Sequence, residues 1–452
     1  MEILEFLRDV LQQPALLIGV VSFVGLMVMG KPFHRVLTGT LKPVIGYLML
    51  SAGAFVICEN LSPLGKMIEK GFSITGVVPN NEAIVAVAQS VLGVETMSIL
   101  VTGLVMNLLI ARFTKFKYVF LTGHHSFFMA CLLSAVLGTA GMSGIRLIIC
   151  GGFFLGAWSA ISPAIGQRYT NLVTDNDGIA MGHFGSLAYY IAAWVGSRTG
   201  RREDSTENIE IPEKWGFLRD STISTGITMM VFFLAAAVAA GPDYVYMLSG
   251  GMSPYLFAVM SALRFAVGVA IVYAGVRMIL GDLIPAFRGI ATKVIPNAVP
   301  AVDCAVFFTY APTAVVIGFI ASFIGGIIGM IILGLAGSVL IIPGMVPHFF
   351  CGATAGIFGN ATGGRRGAAA GAFVNGLLIS FASALLLPVL GSLGFQNTTF
   401  GDFDFGVLGI SLGMLADMMG TLGIFAAMGF FLLVLILPNV IGIRDKVFNQ
   451  PD

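Results

Sequence analysis

Long apolar runs without charged residues recur along this chain and constrain its fold more than any other feature. The stretch Pro312–Leu335, for example, contains no acidic or basic side chain. A helix needs about 20 apolar residues to cross the hydrocarbon core of a bilayer, and this stretch meets that length. Only 10% of the 452 residues are charged, against about 25% in soluble domains. The composition therefore excludes a soluble enzyme, a nucleic-acid-binding domain and a disordered chain.

The apolar runs predict an all-α polytopic membrane protein, because they are continuous and lack the alternation of an outer-membrane barrel. The candidate spans are Pro14–Met29, Pro43–Cys58, Thr96–Ala111, Tyr118–Val136, Gly144–Ile161, Leu187–Val195, Thr222–Ala240, Pro254–Ile279, Pro312–Leu335, Gly337–Phe349, Ala368–Leu390 and Phe405–Leu437. Leu187–Val195 and Gly337–Phe349 are too short to cross a bilayer, so we expect them in re-entrant hairpins. About eleven crossings are predicted in total.

Basic residues between the runs predict the orientation, because cytoplasmic loops carry an excess of Lys and Arg. Basic clusters follow the first, third and eighth runs, at Lys31–Lys42, Arg112–Lys117 and Arg277–Lys293. All of them are cytoplasmic if the N-terminus is outside and the C-terminus inside. No secretory signal is expected, because the first apolar run follows the acidic stretch Met1–Asp9.

A charged segment at residues 197–221 divides the chain into two membrane parts. We expect a first half at residues 1–196, a second half at 222–393, and a last helix with a cytoplasmic tail at 394–452. The charged segment is either a linker or a docking surface for a soluble partner, since mixed charge suits reversible association.

The two halves have the same order of features. Each opens with two long apolar runs and continues with a proline-containing interruption, Thr75–Ala83 in the first half and Val294–Cys304 in the second. A second interruption follows in each, at Asp177–Ser186 and Cys351–Gly364. With five crossings per half, this order predicts the inverted repeat of a secondary transporter that binds substrate where broken helices meet.

Ionisable side chains lie at these interruptions, although a charge in hydrocarbon costs about 3 kcal/mol. Glu82 and Asp303 lie beside prolines, His183 lies among glycines, and His124 starts an apolar run. We interpret them as ligands of a polyhydroxyl substrate; helix capping for the acids and an interfacial hydrogen bond for His124 are the structural alternatives. The neutral candidates, which could instead stabilise turns, are Asn80, Asn81, Thr354 and Asn360.

The remaining charged residues and the cysteines are not assigned to the substrate site. Arg365 and Arg366 are either a cytoplasmic anchor or a positively charged binding site for a phosphoryl-carrying partner or a phosphorylated product. Asp402 and Asp404 are expected to be solvated charges in an outside loop. The five cysteines are scattered and suggest neither a disulfide nor a metal site. No phosphate-binding, nucleophile-elbow or metal-spacing motif is visible, so neither catalysis nor a cofactor is expected.

Several segments, in order along the whole chain, carry a family resemblance. They are Phe120–His124, Gly182–His183, Val294–Cys304, Tyr310–Gly318, Gly337–Pro347 and Phe349–Phe358. With these segments the chain resembles the ascorbate-type enzyme IIC membrane component of the bacterial phosphoenolpyruvate-dependent sugar phosphotransferase system (PTS), the UlaA/SgaT family.

The resemblance implies a homodimer in the bacterial inner (cell) membrane, with eleven crossings per protomer. The first two helices of each half would form the dimer, and a core domain would move against them in an elevator mechanism. The protein would import L-ascorbate or a related sugar, sugar acid or pentitol. A separate cytoplasmic IIB protein with a phosphocysteine, charged by a IIA protein, would phosphorylate the substrate. The chain itself would be a transport subunit and not an enzyme, with membrane lipid as a further partner.

The resemblance also implies site residues. His124, His183 and Asp303 match the family's ligand positions, with the turn Pro79–Glu82 opposite them. Phe128 and Phe184 stand where ascorbate-binding members are expected to have glutamines, so two aromatic faces replace two amides at the substrate. The alternative function is a proton- or sodium-coupled secondary transporter of a small polar solute, in which acids such as Glu82 and Asp303 would carry protons.

Overall fold

Helices make up most of the protein, and its strands are few and short. The computed structural model describes residues 13–73, 76–79, 81–209, 221–293, 295–390 and 399–441. The helices are α1 (Pro14–Val28), α2 (Phe33–Phe72), α3 (Asn81–Phe113), α4 (Gly123–Thr139), α5 (Gly144–Thr174), α6 (Ser186–Thr199), α7 (Ser221–Ala240), α8 (Pro242–Leu248), α9 (Pro254–Lys293), α10 (Pro312–Leu335), α11 (Met345–Leu390), α12 (Phe403–Met419) and α13 (Thr421–Ile441). The strands are β1 (Tyr118–Phe120), β2 (Ala180–Met181) and β3 (Val299–Val302).

Within the described residues, seven helices are long and apolar enough to cross a bilayer. An eighth span is possible if α7 and α8, which meet at a bend of 113°, count together. The chain is therefore a polytopic, mainly helical membrane protein, as the apolar runs predicted. Helices α4, α6 and α12 have only 17, 14 and 17 residues, which is short for a bilayer span. The total of eleven crossings stays a prediction.

Helices α2 and α9 cross with almost no side chain between them. Both are 40 residues long. A Cβ added at Gly46 would lie 2.8 Å from the carbonyl oxygen of Gly275, and one added at Gly53 would lie 2.7 Å from that of Gly268. Small residues let helices approach closely where hydrocarbon supplies no hydrophobic driving force. Helices α1 and α7 pack against this pair, so the four helices form one packing unit.

A second group of helices surrounds the polar interruptions. Helix α11 packs on α10, α6 and α12, while α3 packs on α4 and α5. Helix α11 changes direction at Gly364, where φ is 58° and ψ is −152°, a conformation that favours glycine. The break falls at the end of the interruption Cys351–Gly364 that the sequence marked. Arg365 and Arg366 follow the bend and are exposed.

A small parallel sheet lies among these helices, and the all-α prediction did not include it. Its strand order is β1-β3-β2, with Phe120 opposite Ala301 and Ala180 also opposite Ala301. An isolated parallel bridge joins Val77 to Ile341. Backbone groups at membrane depth must be satisfied inside the protein, and these pairings satisfy them where helices are interrupted.

Candidate functional site

The sheet brings three predicted site residues together, because each follows the end of a strand. His124 comes shortly after β1, His183 after β2 and Asp303 directly after β3. Asp303 begins a short 3-10 helix (Cys304–Thr309), and its Oδ1 accepts a hydrogen bond of 3.1 Å from the backbone N–H of Ala305. The three strands are parallel, so their following residues converge at one edge of the sheet.

His124 connects Asp303 to the crossing helices. Its Nε2 lies 3.3 Å from Oδ2 of Asp303, and its Nδ1 lies 3.1 Å from the hydroxyl of Tyr47. Tyr47 belongs to α2 and is buried. Tyr47 was not among the predicted site residues, since a tyrosine inside an apolar run gives no signal of which face it occupies.

His183 is 3% exposed and held by its own turn. Its Nδ1 accepts a hydrogen bond of 3.1 Å from the N–H of Gly185 and lies 2.8 Å from the hydroxyl of Tyr189. The ring of His125 lies against it, with 3.8 Å between centroids. His125 and Tyr189 were not predicted; the adjacent pair of histidines in the sequence could have drawn attention to the former.

Phe128 and Phe184, the two predicted aromatic site residues, contact their neighbouring rings in different ways. Phe128 is half-buried and meets the edge of the His124 ring, with 5.9 Å between centroids. Phe184 is fully buried and stacks on Phe120 at 4.7 Å. Both phenylalanines also meet the ring of His125 edge-on, with 5.7 Å and 6.1 Å between centroids.

The turn from the first half also reaches the site. Asn81, the first residue of α3, donates from Nδ2 to Oδ2 of Asp402 at 2.6 Å, and its Oδ1 accepts from the N–H of Gly401 at 2.9 Å. Two other predicted residues, Asn80 and the Glu82 side chain, lie outside the described part of the structure.

Asp402 and Asp404 are buried, so the prediction of solvated outside charges was wrong. Asp402 is 6% exposed and Asp404 is 0% exposed. Asp402 accepts from Asn81 and, at 2.7 Å, from the thiol of Cys351. Asp404 accepts from the Ser186 hydroxyl at 2.8 Å and from the Leu187 N–H at 3.0 Å. These donors compensate for the loss of water around the two carboxylates.

Thr354 and Asn360, two of the uncharged candidate residues, form hydrogen bonds that stabilise the local backbone. The hydroxyl of Thr354 is buried in α11 and donates to the carbonyl oxygen of Phe350 at 2.8 Å. Asn360 accepts a hydrogen bond of 2.8 Å from the N–H of Thr206 and donates to the Ser205 hydroxyl at 3.2 Å. Asn360 therefore fixes the charged segment to α11 and is not part of the His–Asp site.

A narrow cavity of about 10 Å³, room for a single water molecule, lies between the crossing helices and the sheet edge. Tyr47 and Ile279 line it from α2 and α9, and Thr122, Asp303 and Val306 line it from the other side. Among the described residues, Oγ1 of Thr122 and Oδ2 of Asp303 are buried oxygens without a hydrogen-bond partner; the 3.3 Å contact of Asp303 with His124 is an ion-pair distance that lacks hydrogen-bond alignment. Buried polar atoms are normally paired, so these two oxygens call for a hydrogen-bond donor, and a sugar could supply it only once the cavity widens.

We expect Asp404→Ala to destabilise the junction of α6 and α12. The change leaves the Ser186 hydroxyl and the Leu187 N–H buried without their acceptor, which costs about 1–3 kcal/mol per group. The melting temperature of the purified protein in detergent should fall. Asp417→Ala is the matched control, because Asp417 is exposed on the same helix. Equal melting temperatures for the two variants would contradict the role of Asp404 as the acceptor for Ser186 and Leu187.

Comparison with known proteins gives a family-model match and a similar protein. The family model described as the PTS system sugar-specific permease component (EIIC-GAT) matches residues 9–404. The chain is also similar to the "Ascorbate-specific PTS system EIIC component" of Mycoplasma pneumoniae, with 28% identity over 451 residues. That match covers 86% of this chain and 64% of the Mycoplasma protein, so the chain spans somewhat less than two thirds of that relative's length.

Proposed function

Because this chain belongs to the family of PTS sugar-specific permease components, we propose that it carries a sugar or sugar acid across the membrane while a separate IIB protein phosphorylates it. The bound substrate would reach IIB on the cytoplasmic side, and IIA would recharge IIB. The permease contributes the binding site and the path, and the phosphoryl chemistry belongs to the partners.

The unpaired oxygens of the cavity are the observation that carries this proposal. Asp303 and Thr122 present acceptors without a partner in the described structure, and His124 stands beside Asp303. A carboxylate accepts hydrogen bonds strongly, and adjacent hydroxyl groups of a sugar supply donors at short spacing. Leu50 of α2 and Ile279 of α9 line the same narrow cavity, and we propose that it widens to enclose the carbon skeleton when the helices move.

L-ascorbate or a related sugar acid, ketose or pentitol is the proposed substrate class. The ascorbate specificity in the name of the Mycoplasma relative supports this class. Phe128 lies edge-on to His124, whereas Phe184 lies edge-on to His125 and is fully buried against Phe120. We propose that Phe128, which is half-buried, favours stacking on a sugar ring where an amide would favour hydrogen bonding, and that Phe184 supports the histidines from behind.

Movement of a core against a dimerising unit is the proposed transport mechanism. Helices α1, α2, α7 and α9 pack on one another, which supports their assignment to a separate unit. Large apolar side chains such as Phe55 on α2 and Val231 on α7 are 68% and 63% exposed in the single chain, and a homodimer or lipid would cover them. The Tyr47–His124 contact is the polar connection that such a movement would break and remake.

We propose that the two halves are an inverted repeat, and the strand pairings support it. Val77 follows α2 and pairs with Ile341 ahead of α11. In the same way, β3 follows α9 and pairs with β1 ahead of α4. The contact of Asn81 with Gly401 ahead of α12 has its counterpart in the bond from Gly182 to β3 ahead of α6. This order matches Asp177–Ser186 to residues 399–404, and not to Cys351–Gly364.

Phosphoenolpyruvate-driven phosphorylation tests the proposed function. Vesicles that contain the protein would receive candidate IIA and IIB proteins and a panel of ascorbate, sugar acids, ketoses and pentitols. We expect phosphorylated product from one substrate class, and none when IIB is omitted. Accumulation of unmodified substrate driven by a proton or sodium gradient, without phosphoenolpyruvate, would overturn the proposal in favour of a coupled secondary transporter.

A further inference from the structure

Five metal-ligating side chains that are far apart in the sequence converge next to the cavity. This five-donor cluster consists of His183, Asp303, Cys304, Cys351 and Asp402. It contains two triads that share His183, one with Cys351 and Asp402 and the other with Asp303 and Cys304. Within each triad all ligand atoms lie within 4.8 Å of one another. Every member is buried, with at most 8% of its surface exposed.

The five-donor cluster is rich in negative charge and poor in cations. In the part of the chain that the structure describes, neither Asp303 nor Asp402 forms an ion pair with a lysine or arginine. Neutral donors and the His124 ring are their partners. Buried carboxylates are normally paired with cations or coordinate metals, so a metal ion would complete the charge balance here.

Coordination requires a change at two of the donors. Nδ1 of His183 accepts from the N–H of Gly185 and lies 2.8 Å from the hydroxyl of Tyr189, so an ion at this nitrogen takes the lone pair from those two hydrogen bonds. The thiol of Cys351 points at Asp402, with 2.7 Å from Sγ to Oδ1. On metal binding the S–H bond breaks, a sulfur–metal bond forms and the proton passes through the carboxylate to solvent.

The donor types and spacing select the kind of ion. Zinc bonds of about 2.0–2.3 Å place tetrahedral ligand atoms roughly 3.3–3.8 Å apart. The ligand atoms here lie within 4.8 Å of one another, so the longest of these distances must shorten by about 1 Å. Thiolate and imidazole prefer zinc-like ions to magnesium or calcium. We propose that the five-donor cluster binds one divalent cation of the zinc and cadmium class through His183, at least one cysteine and a carboxylate.

The proposed ion and the proposed sugar exclude each other. Asp303 lines the cavity and also belongs to the five-donor cluster, so an ion held there withdraws an acceptor from the substrate. This consequence rests on the proposed function, whereas ion binding itself does not. No metal site was predicted from the sequence, because Cys304 and Cys351 are far apart in the chain and only the fold brings them to His183.

Cadmium titration of the purified full-length protein in detergent tests the proposal. Cadmium–thiolate bonds absorb in the ultraviolet, so the absorbance reports sulfur coordination and equilibrium dialysis reports the number of ions. We expect one cadmium ion per chain. We measure three variants, Cys304→Ser, Cys351→Ser and His183→Ala. His183→Ala and at least one of the two cysteine variants should raise the Kd for cadmium more than about tenfold.

Cys131→Ser is the matched control, because Cys131 is also a buried free cysteine but lies in α4 outside the cluster. It should bind cadmium as the unmodified chain does, and excess magnesium should not compete. No thiolate absorbance in the unmodified chain would overturn the proposal, whatever the variants do. Equal loss in Cys131→Ser would overturn it as well, because binding would then be unrelated to the five-donor cluster.

Discussion

Asp303→Asn is expected to abolish efficient substrate binding while the protein stays folded. The variant keeps the size of the side chain and one oxygen for the N–H of Ala305. It loses the charge that faces His124 and the oxygen that is open to the cavity. Hydrogen bonds to charged groups contribute about 1.5–3 kcal/mol, so the Kd of the substrate should rise roughly 10- to 150-fold. The Kd is measured with the substrate that the phosphorylation panel identifies.

Asp282→Asn is the control for charge removal near the crossing helices. Asp282 lies on α9 and pairs with Lys42 at 3.7 Å, and its side chain is 33% exposed. This variant should bind substrate normally. His183→Ala should resemble Asp303→Asn in losing uptake, since His183 lies in the same group of ligand atoms. Normal transport by Asp303→Asn would reject the assignment of the site.

Gly46→Val is expected to destabilise the crossing of α2 and α9 strongly. An added Cβ lies 2.8 Å from the carbonyl oxygen of Gly275 and 3.0 Å from the N–H nitrogen of Ile279. Backbone atoms cannot turn away as a side chain can, so the helices must separate. Overpacking typically costs about 1–3 kcal/mol, and the melting temperature in detergent should fall accordingly.

Gly65→Val, in the same helix, is the control that separates the effect of helix packing from the effect of helix propensity on stability. Nothing lies within 4 Å of a Cβ added at Gly65, so this variant changes propensity without a collision. Gly275→Val should lose stability much as Gly46→Val does, because its Cβ would lie 2.6 Å from the carbonyl oxygen of Gly46. Melting temperatures that do not distinguish Gly46→Val from Gly65→Val would show that the crossing is not closely packed.

The candidate site was chosen from the sequence because polar residues are conspicuous in apolar surroundings, and its role in binding stays a prediction. His124, His183 and Asp303 each lie at an interruption of the hydrophobic pattern, and the fold brings them to one sheet edge. The membrane class followed from composition alone. The family resemblance, stated from short segments, is confirmed by a match over residues 9–404.

Residues that depend on tertiary neighbours could not be predicted. Tyr47 reaches His124 only because α2 lies beside the sheet edge. Asp402 and Asp404 were interpreted as loop charges, since the sequence does not reveal the donors from Asn81 and α6 that surround them. The strands have two to four residues, too few for an alternating pattern to be visible.

The glycine crossing of α2 and α9 has a consequence for how such a molecule could arise. Gly46 and Gly53 are seven residues apart, as are Gly268 and Gly275, and they meet in reversed order. A surface with this spacing is self-complementary when two copies run in opposite directions. Given the inverted repeat proposed above, a half-length ancestor with one such helix could pair with its own antiparallel copy before gene fusion, and the fused chain would inherit a close contact that required no new residues.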